Sequence, residues 1–243
     1  MDVTKAPRKL WEHPNPKSTE MWKFLQETNK KHNLNIQNFN DLWHWSVDNR
    51  AAFYDQLFVS QNHIYEGSYT RVVDESIPIS KLPKWFYGVR INWAENLLWT
   101  RSATDSPQHR STLNKEDDKV AITEIREGNT EVRDVTWGQL RQMTGELASA
   151  LWERGVREGD RIVVVGSHSV MTNVVFLATT WLGAIFSSSS TDMGIGGLLQ
   201  RTVQIDPKVS SNLLRCNIFT MNLDFDVVEI VNVLNTRTYS AAS

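Results

Sequence analysis

The chain has 243 residues, 40% apolar and 22% charged, with a formal net charge of −2. That composition belongs to a globular chain of one or two domains and offers no basic excess to attract nucleic acid or an anionic membrane surface. A single cysteine, Cys216, excludes an internal disulfide and fits a reducing compartment. The N-terminus shows no apolar signal core, and the most apolar stretch, 174–186, is too short and too interrupted to span a bilayer; a cytoplasmic location and no membrane partner are expected.

In chain order, residues 1–17 carry Pro7, Pro14 and Pro16 and read as an extended arm. Ser18 or Thr19 can cap a helix running to Lys31, with Met21, Trp22, Leu25 and Thr28 on one face. Asn40 or Asp41 can cap a second helical stretch that continues through Phe53 to Phe58. Pro78 and Pro83 mark a loop, and Asn92 can cap a short helix, 93–99. Six of the ten tryptophans fall in this part: Trp11, Trp22, Trp43, Trp45, Trp85 and Trp93. Large aromatic area of that kind reads as packing surface. The polar stretch 100–118 reads as a linker.

A different pattern starts at Lys119. VAITEIR and EVRDVTW, separated by EGNT, form a strand, turn and strand. Thr136 with Gln139 offers a capping box for a helix whose apolar face is Leu140, Met143, Leu147 and Leu151. Gly155 can stop it. RIVVVG, 161–166, has the unbroken apolar run of a strand covered on both faces. Residues 170–182 form a helix, 184–187 a short strand, and 192–205 a helix stopped by Pro207. This is the start of a doubly wound α/β layer. After Lys208 no strand is legible.

Three runs stand out: DLWHWSV at 41–47, PKWFYGVRINWAENLL at 83–98, and GAIFSSSSTDMGIGGLLQRTVQIDP at 183–207. Their order and spacing resemble the acetoacetyl-CoA synthetases, members of the adenylate-forming acyl-CoA synthetase superfamily. The resemblance implies an α/β fold: a helical N-terminal cap followed by the first, incomplete part of an AMP-binding domain. The implied divisions are a cap over 1–105, a partial AMP-binding domain over 106–208, and an unmatched tail over 209–243. That tail does not align with the family, and a truncated or misread gene product is the favoured explanation over a lineage-specific ending.

The family ligates acetoacetate to CoA through an acyl-adenylate, with ATP, Mg and CoA as its cofactors and substrates. Its phosphate loop, S-G-[ST]-T-G-x-P-K, its Y-G-x-T-E block and its C-terminal lysine block are absent from this sequence. No catalytic residue is therefore carried over, no cofactor is expected for this stretch alone, and the ligation is not expected of this chain by itself. Alternatives are part of another short-chain acyl-CoA synthetase, such as one for acetate, or a non-catalytic interaction or regulatory protein.

The hydroxyl run 187–191 sits at the carboxyl end of a strand, where ligands gather in open α/β sheets. The resemblance puts this loop near the acyl and nucleotide site, so Ser188, Ser190 and Asp192 are candidate lining residues. A plain polar loop with Asp192 capping the next helix is the competing reading. Gly194, Gly196 and Gly197 at a helix start could approach a phosphate or CoA, or could simply permit tight packing. Gly166 lacks the further glycines of a dinucleotide fingerprint. The six histidines form no ligand pair, so no metal site is expected.

Overall fold

The computed structural model describes residues 10–190 and 192–212. By contact density the chain divides into two units, one running to Asn62 and resuming over Gly67–Val89, the other holding His63–Glu66 and the chain from Arg90 onward.

In the first unit, α1 (Glu20–His32) starts where the Thr19 hydroxyl accepts from the Trp22 amide, and ends at left-handed Asn33. The helix expected through Phe58 is two helices, α2 (Phe39–Asp48) and α3 (Arg50–Ser60). Asn49, at φ −126° and ψ 50°, is outside helical geometry and breaks them. Asn38, not Asn40 or Asp41, caps α2 by accepting from the Asp41 amide.

Leu25, Ile36 and Leu42 form a buried aliphatic cluster, with Trp22, Phe24, Leu34 and Trp45 around them, and Val72 and Val73 are buried elsewhere in the unit. Much of the remaining packing is aromatic. Phe58 stacks on Phe86 at 4.7 Å between centroids, and Tyr54 meets Trp85 edge-on at 4.8 Å. Polar pairs cross it: buried Gln56 Nε2 donates to Thr28 Oγ1 at 2.9 Å, and half-buried Tyr69 donates to Asp55 at 2.8 Å. Trp11, Trp43 and Trp93 remain 74%, 52% and 60% exposed, so the expectation that the six tryptophans are packing surface fails for these three. Two short strands, β1 (Glu66–Gly67) and β2 (Val89–Arg90), pair. Gly67 and Gly88 both take positive φ, and a Cβ on Gly67 would lie 2.0 Å from the Gly88 carbonyl oxygen, so only glycine fits.

The second unit begins with α4 (Trp93–Leu98), capped by Asn92, whose side chain accepts from the Glu95 amide and donates to the Trp181 carbonyl at 2.9 Å. Residues 100–118 are not a loose linker. Thr100 and Ser111 form a bridge, and Lys115 donates to the carbonyls of Asn96, Leu97 and Trp99 at the α4 C-terminus. A cation there satisfies orphan carbonyls and the helix dipole. Arg110 pairs with Glu95 at 2.6 Å and sits over the rings of Trp99 and Trp181. Polar composition hid this because the groups that tie the segment down are themselves charged.

The hairpin β3 (Val120–Ile125) and β4 (Val132–Thr136) is antiparallel. The expected capping box at Thr136 and Gln139 starts α5 (Trp137–Glu153). Then come β5 (Arg161–Val165), α6 (Val170–Trp181), β6 (Ile185–Ser189), α7 (Ile195–Ile205) and β7 (Val209–Asn212). Ala94, Leu98, Val135, Leu140, Met143, Val170, Val174 and Leu177 form one core cluster; Ala148, Leu151, Val156, Ile162, Val164, Val175, Ala178 and Ala184 form a second.

The hairpin is a sheet of its own; β6, β5 and β7 form another, in that order and all parallel. Arg161 aligns with Ile185 on one side, and Ile162 with Val209 on the other. A strand therefore does follow Lys208. Its sequence, VSSN, shows no apolar run, and it is defined by backbone pairing along β5. Central β5 is buried from Ile162 to Val164, as its apolar run required. Among the described residues no helix is long and apolar enough to cross a membrane.

Candidate functional site

Parallel crossovers are right-handed. The β5–α6–β6 connection steps to one side of β5, and β6–α7–β7 steps back past it. The two helices therefore lie on opposite faces of the sheet. Between the carboxyl ends of β5 and β6 the following chain turns to opposite faces, which opens the crevice where α/β sheets take ligands. The loops at that crevice are 166–169 after β5 and 190–194 after β6.

Both loops are shaped by hydroxyls. Ser169 caps α6 by accepting from the Thr172 amide at 3.3 Å, and Thr172 Oγ1 donates to the Ser167 carbonyl at 2.7 Å. Across the crevice, Ser190 accepts from the Asp192 amide at 3.2 Å and its hydroxyl lies 3.4 Å from Asp192 Oδ2. Both are exposed. Ser188 is in β6, opposite Val164 in register, and is also exposed. Ser190 and Asp192 are thus brought together, while among the described residues no hydrogen bond joins Ser188 to either.

Asp192 does not cap the following helix. α7 starts three residues later, with Gly194 as its cap and no side-chain hydrogen bond there. Gly197 has a packing reason: a Cβ there would lie 2.9 Å from Met193 Cγ. Sequence reasoning missed Ser167, His168 and Ser169 as the other wall. The signal was present, since they directly follow an apolar strand, but only the strand order shows that this loop faces 190–194.

The chemistry of the donor set is limited. Loops 166–169 and 190–194 carry hydroxyls, one imidazole and one carboxylate, and neither contains a lysine or arginine. Such a set can hydrogen-bond an uncharged or hydroxylated group. It does not neutralise a triphosphate, and one carboxylate is a poor site for Mg, which is ordinarily held by carboxylates together with phosphates. ATP and Mg do not fit these residues alone.

The charge-rich end of the sheet is the other one. Lys208 donates to Asp160 at 2.8 Å and to the Gly155 carbonyl at 2.5 Å, and Arg161 holds the carbonyls of Ile205 and Asp206. The Lys208 hydrogen bond is the main cause holding the Asp160 carboxyl below its usual range. These contacts pin β7 beside β5 at their amino ends and are structural. Among the described residues no group of histidine, cysteine and carboxylates could hold a metal ion.

The AMP-binding enzyme family matches residues 109–210. The acetoacetyl-CoA synthetase of Mus musculus is 37% identical over 200 residues, covering 82% of this chain and 28% of its own length. The malonamoyl-CoA synthetase of Penicillium aethiopicum is 37% identical over 202 residues, covering 82% of this chain and 26% of its own. Among solved structures, the acetoacetyl-CoA synthetase of Streptomyces lividans superposes with a TM-score of 0.72 at 25% identity, over 85% of this chain and 30% of that one. This chain therefore spans less than a third of the length of the proteins it matches.

Proposed function

We propose that the chain belongs with the AMP-binding enzymes, alongside the acetoacetyl-CoA synthetases, and carries the amino-terminal portion of an acyl-CoA ligase of that type. The reaction is ATP-dependent ligation of acetoacetate to CoA. Carboxylate attack on ATP releases pyrophosphate and forms an acyl-adenylate; the CoA thiolate then displaces AMP. The observation that carries the reading is the similarity of 82% of this chain to acetoacetyl-CoA synthetase, 37% identical over 200 residues.

Two relatives narrow the acid. Acetoacetate and malonamate are both short carboxylates with a carbonyl on the β carbon, one ending in methyl and the other in amide. We take that β-carbonyl acid as the substrate class, with acetate as the alternative to be tested. Residues 1–105 are taken as the cap and 106–208 as the AMP-binding portion, supported by a family match that begins at 109. Ser188, Ser190 and Asp192 are assigned to lining the crevice between β5 and β6, supported by the exposure of all three. The chain alone performs no ligation, because its crevice loops bring no cation to a triphosphate; its site of action is the cytoplasm.

The test is a graft. Residues 1–208 are joined to the part of the Mus musculus enzyme that follows its matched stretch, and pyrophosphate exchange is measured with acetoacetate, malonamate and acetate. Exchange with the β-carbonyl acids, reduced by Asp192→Asn, is expected. A folded graft that is silent, or that prefers acetate, overturns the assignment.

A further inference from the structure

Among the described residues, seven other than glycine take positive φ. Five are asparagine or aspartate, which tolerate that geometry; the other two are Leu82 (φ 50°) and Phe86 (φ 43°). Leu82 is strained twice over, because it also precedes Pro83, and proline favours extended backbone in the residue before it. Phe86 recovers contact by stacking on Phe58. Leu82 ends the short 3-10 helix Ile79–Lys81 and is left 86% exposed, so the fold gains little burial from it. Backbone strain of this kind collects at ligand sites.

Leu82 stands at a cavity. The Phe86 amide donates to the Val72 carbonyl at 2.6 Å, and Val73 bridges to Trp85. Residues 70–77 and 81–87 thereby close around a space of about 520 Å³, within the roughly 300–1,000 Å³ of small-molecule sites. Its apolar lining is buried Val73 with Ile77, Leu82 and Tyr87; its charged lining is Arg71, Lys81 and Lys84 against one carboxylate, Asp74. That carboxylate is committed: Oδ2 pairs with Arg71 at 3.1 Å, and Oδ1 accepts from the Ser76 amide and hydroxyl. Among the described residues no carboxylate pairs with Lys81 or Lys84, and Lys84 lies over the Tyr87 ring at 5.2 Å. We propose that this cavity binds an organic anion with an apolar body, the charged head at Lys81 and Lys84 and the body against Ile77, Leu82 and Tyr87. The surplus positive charge selects an anion over a neutral apolar compound, and the concave wall suits a dissolved molecule rather than a bilayer. All of these residues lie in the first unit, outside the stretch matched to the AMP-binding family.

Calorimetric titration of the full chain with decanoate tests this, with decanol and inorganic phosphate supplying the body and the charge separately. Decanoate should bind about tenfold or more tightly than either. Lys81→Glu combined with Lys84→Glu should weaken decanoate about tenfold or more and leave the melting temperature unchanged. Leu82→Gly relieves the backbone, so it should keep or raise the melting temperature while weakening decanoate by about the same factor. A leucine with only a structural role would not separate those two readouts. No decanoate binding, phosphate binding as tightly as decanoate, or unchanged decanoate affinity in either variant would overturn the proposal. Binding to phosphatidylserine vesicles without binding to decanoate would also overturn it, by assigning the face to a membrane.

Discussion

The two units hold together by different means. The first has Leu25, Ile36 and Leu42 as its aliphatic centre and relies on rings set edge to face and on paired polar groups such as Gln56 with Thr28. The second is built from valine, isoleucine, leucine and alanine around a parallel strand buried on both faces. Aliphatic burial tolerates little loss of volume, because the cavity left behind adds to the lost transfer energy. An aromatic and hydrogen-bonded packing is more sensitive to direction, since a lost partner strands a buried polar group.

That contrast is most open to attack in the second unit. Leu98, 1% exposed where α4 meets α5 and α6, should cost about 2–5 kcal/mol on change to alanine. Hydrogen exchange should rise in α5 and α6 and stay unchanged in α1–α3; an equal rise in α1–α3 would show that the units do not have separate cores. In the first unit, Thr28→Val keeps the shape but removes the 2.9 Å acceptor of the Gln56 amide and leaves it the Phe24 carbonyl at 3.5 Å, and should cost roughly 0.5–1.5 kcal/mol, with the exchange rise confined to α1–α3. A neutral Thr28→Val would mean that hydrogen bonding contributes little there.

A smaller effect is expected at the segment after α4. Lys115→Met removes the ammonium that caps the last carbonyls of α4. Limited proteolysis of the native chain should spare Arg101 and Arg110, and the variant should open first at Arg110. Early cleavage there in the native chain would restore the linker reading.

The smallest effect is in pH. Glu116 is held at about 2, chiefly by its hydrogen bond from Lys119, and Asp160 is lowered chiefly by Lys208. Both carboxyls bind protons less tightly folded than unfolded. Their stabilisation is complete above about pH 4.5, the ordinary carboxylate range, and is lost as pH falls toward the folded values. Lys208→Met should flatten part of that decline; an unchanged acid limb would remove Asp160 from it.

Apolar patterning together with cap and stop residues made most of the second unit legible. The capping box at Thr136, the apolar run of β5 and the glycine stop at Gly155 each survive in the structure. β7 was not legible because Val209–Asn212 pairs through its backbone, and the tie-down of 100–118 was not because charged residues do it. In the first unit the apolar residues run on through Phe53 to Phe58 without a glycine or proline to interrupt them, which is why Asn49 passed unnoticed as a break. At the crevice, the 190–194 wall could be named from sequence, but the 166–169 wall required the order β6, β5, β7.

The most direct measurement is acetoacetate-dependent exchange between ATP and pyrophosphate by the full chain alone. A rate at the blank is expected, because loops 166–169 and 190–194 bring no cation to the crevice. Exchange above the blank that disappears with Asp192→Asn would contradict that directly, by placing a working adenylation site within these 243 residues.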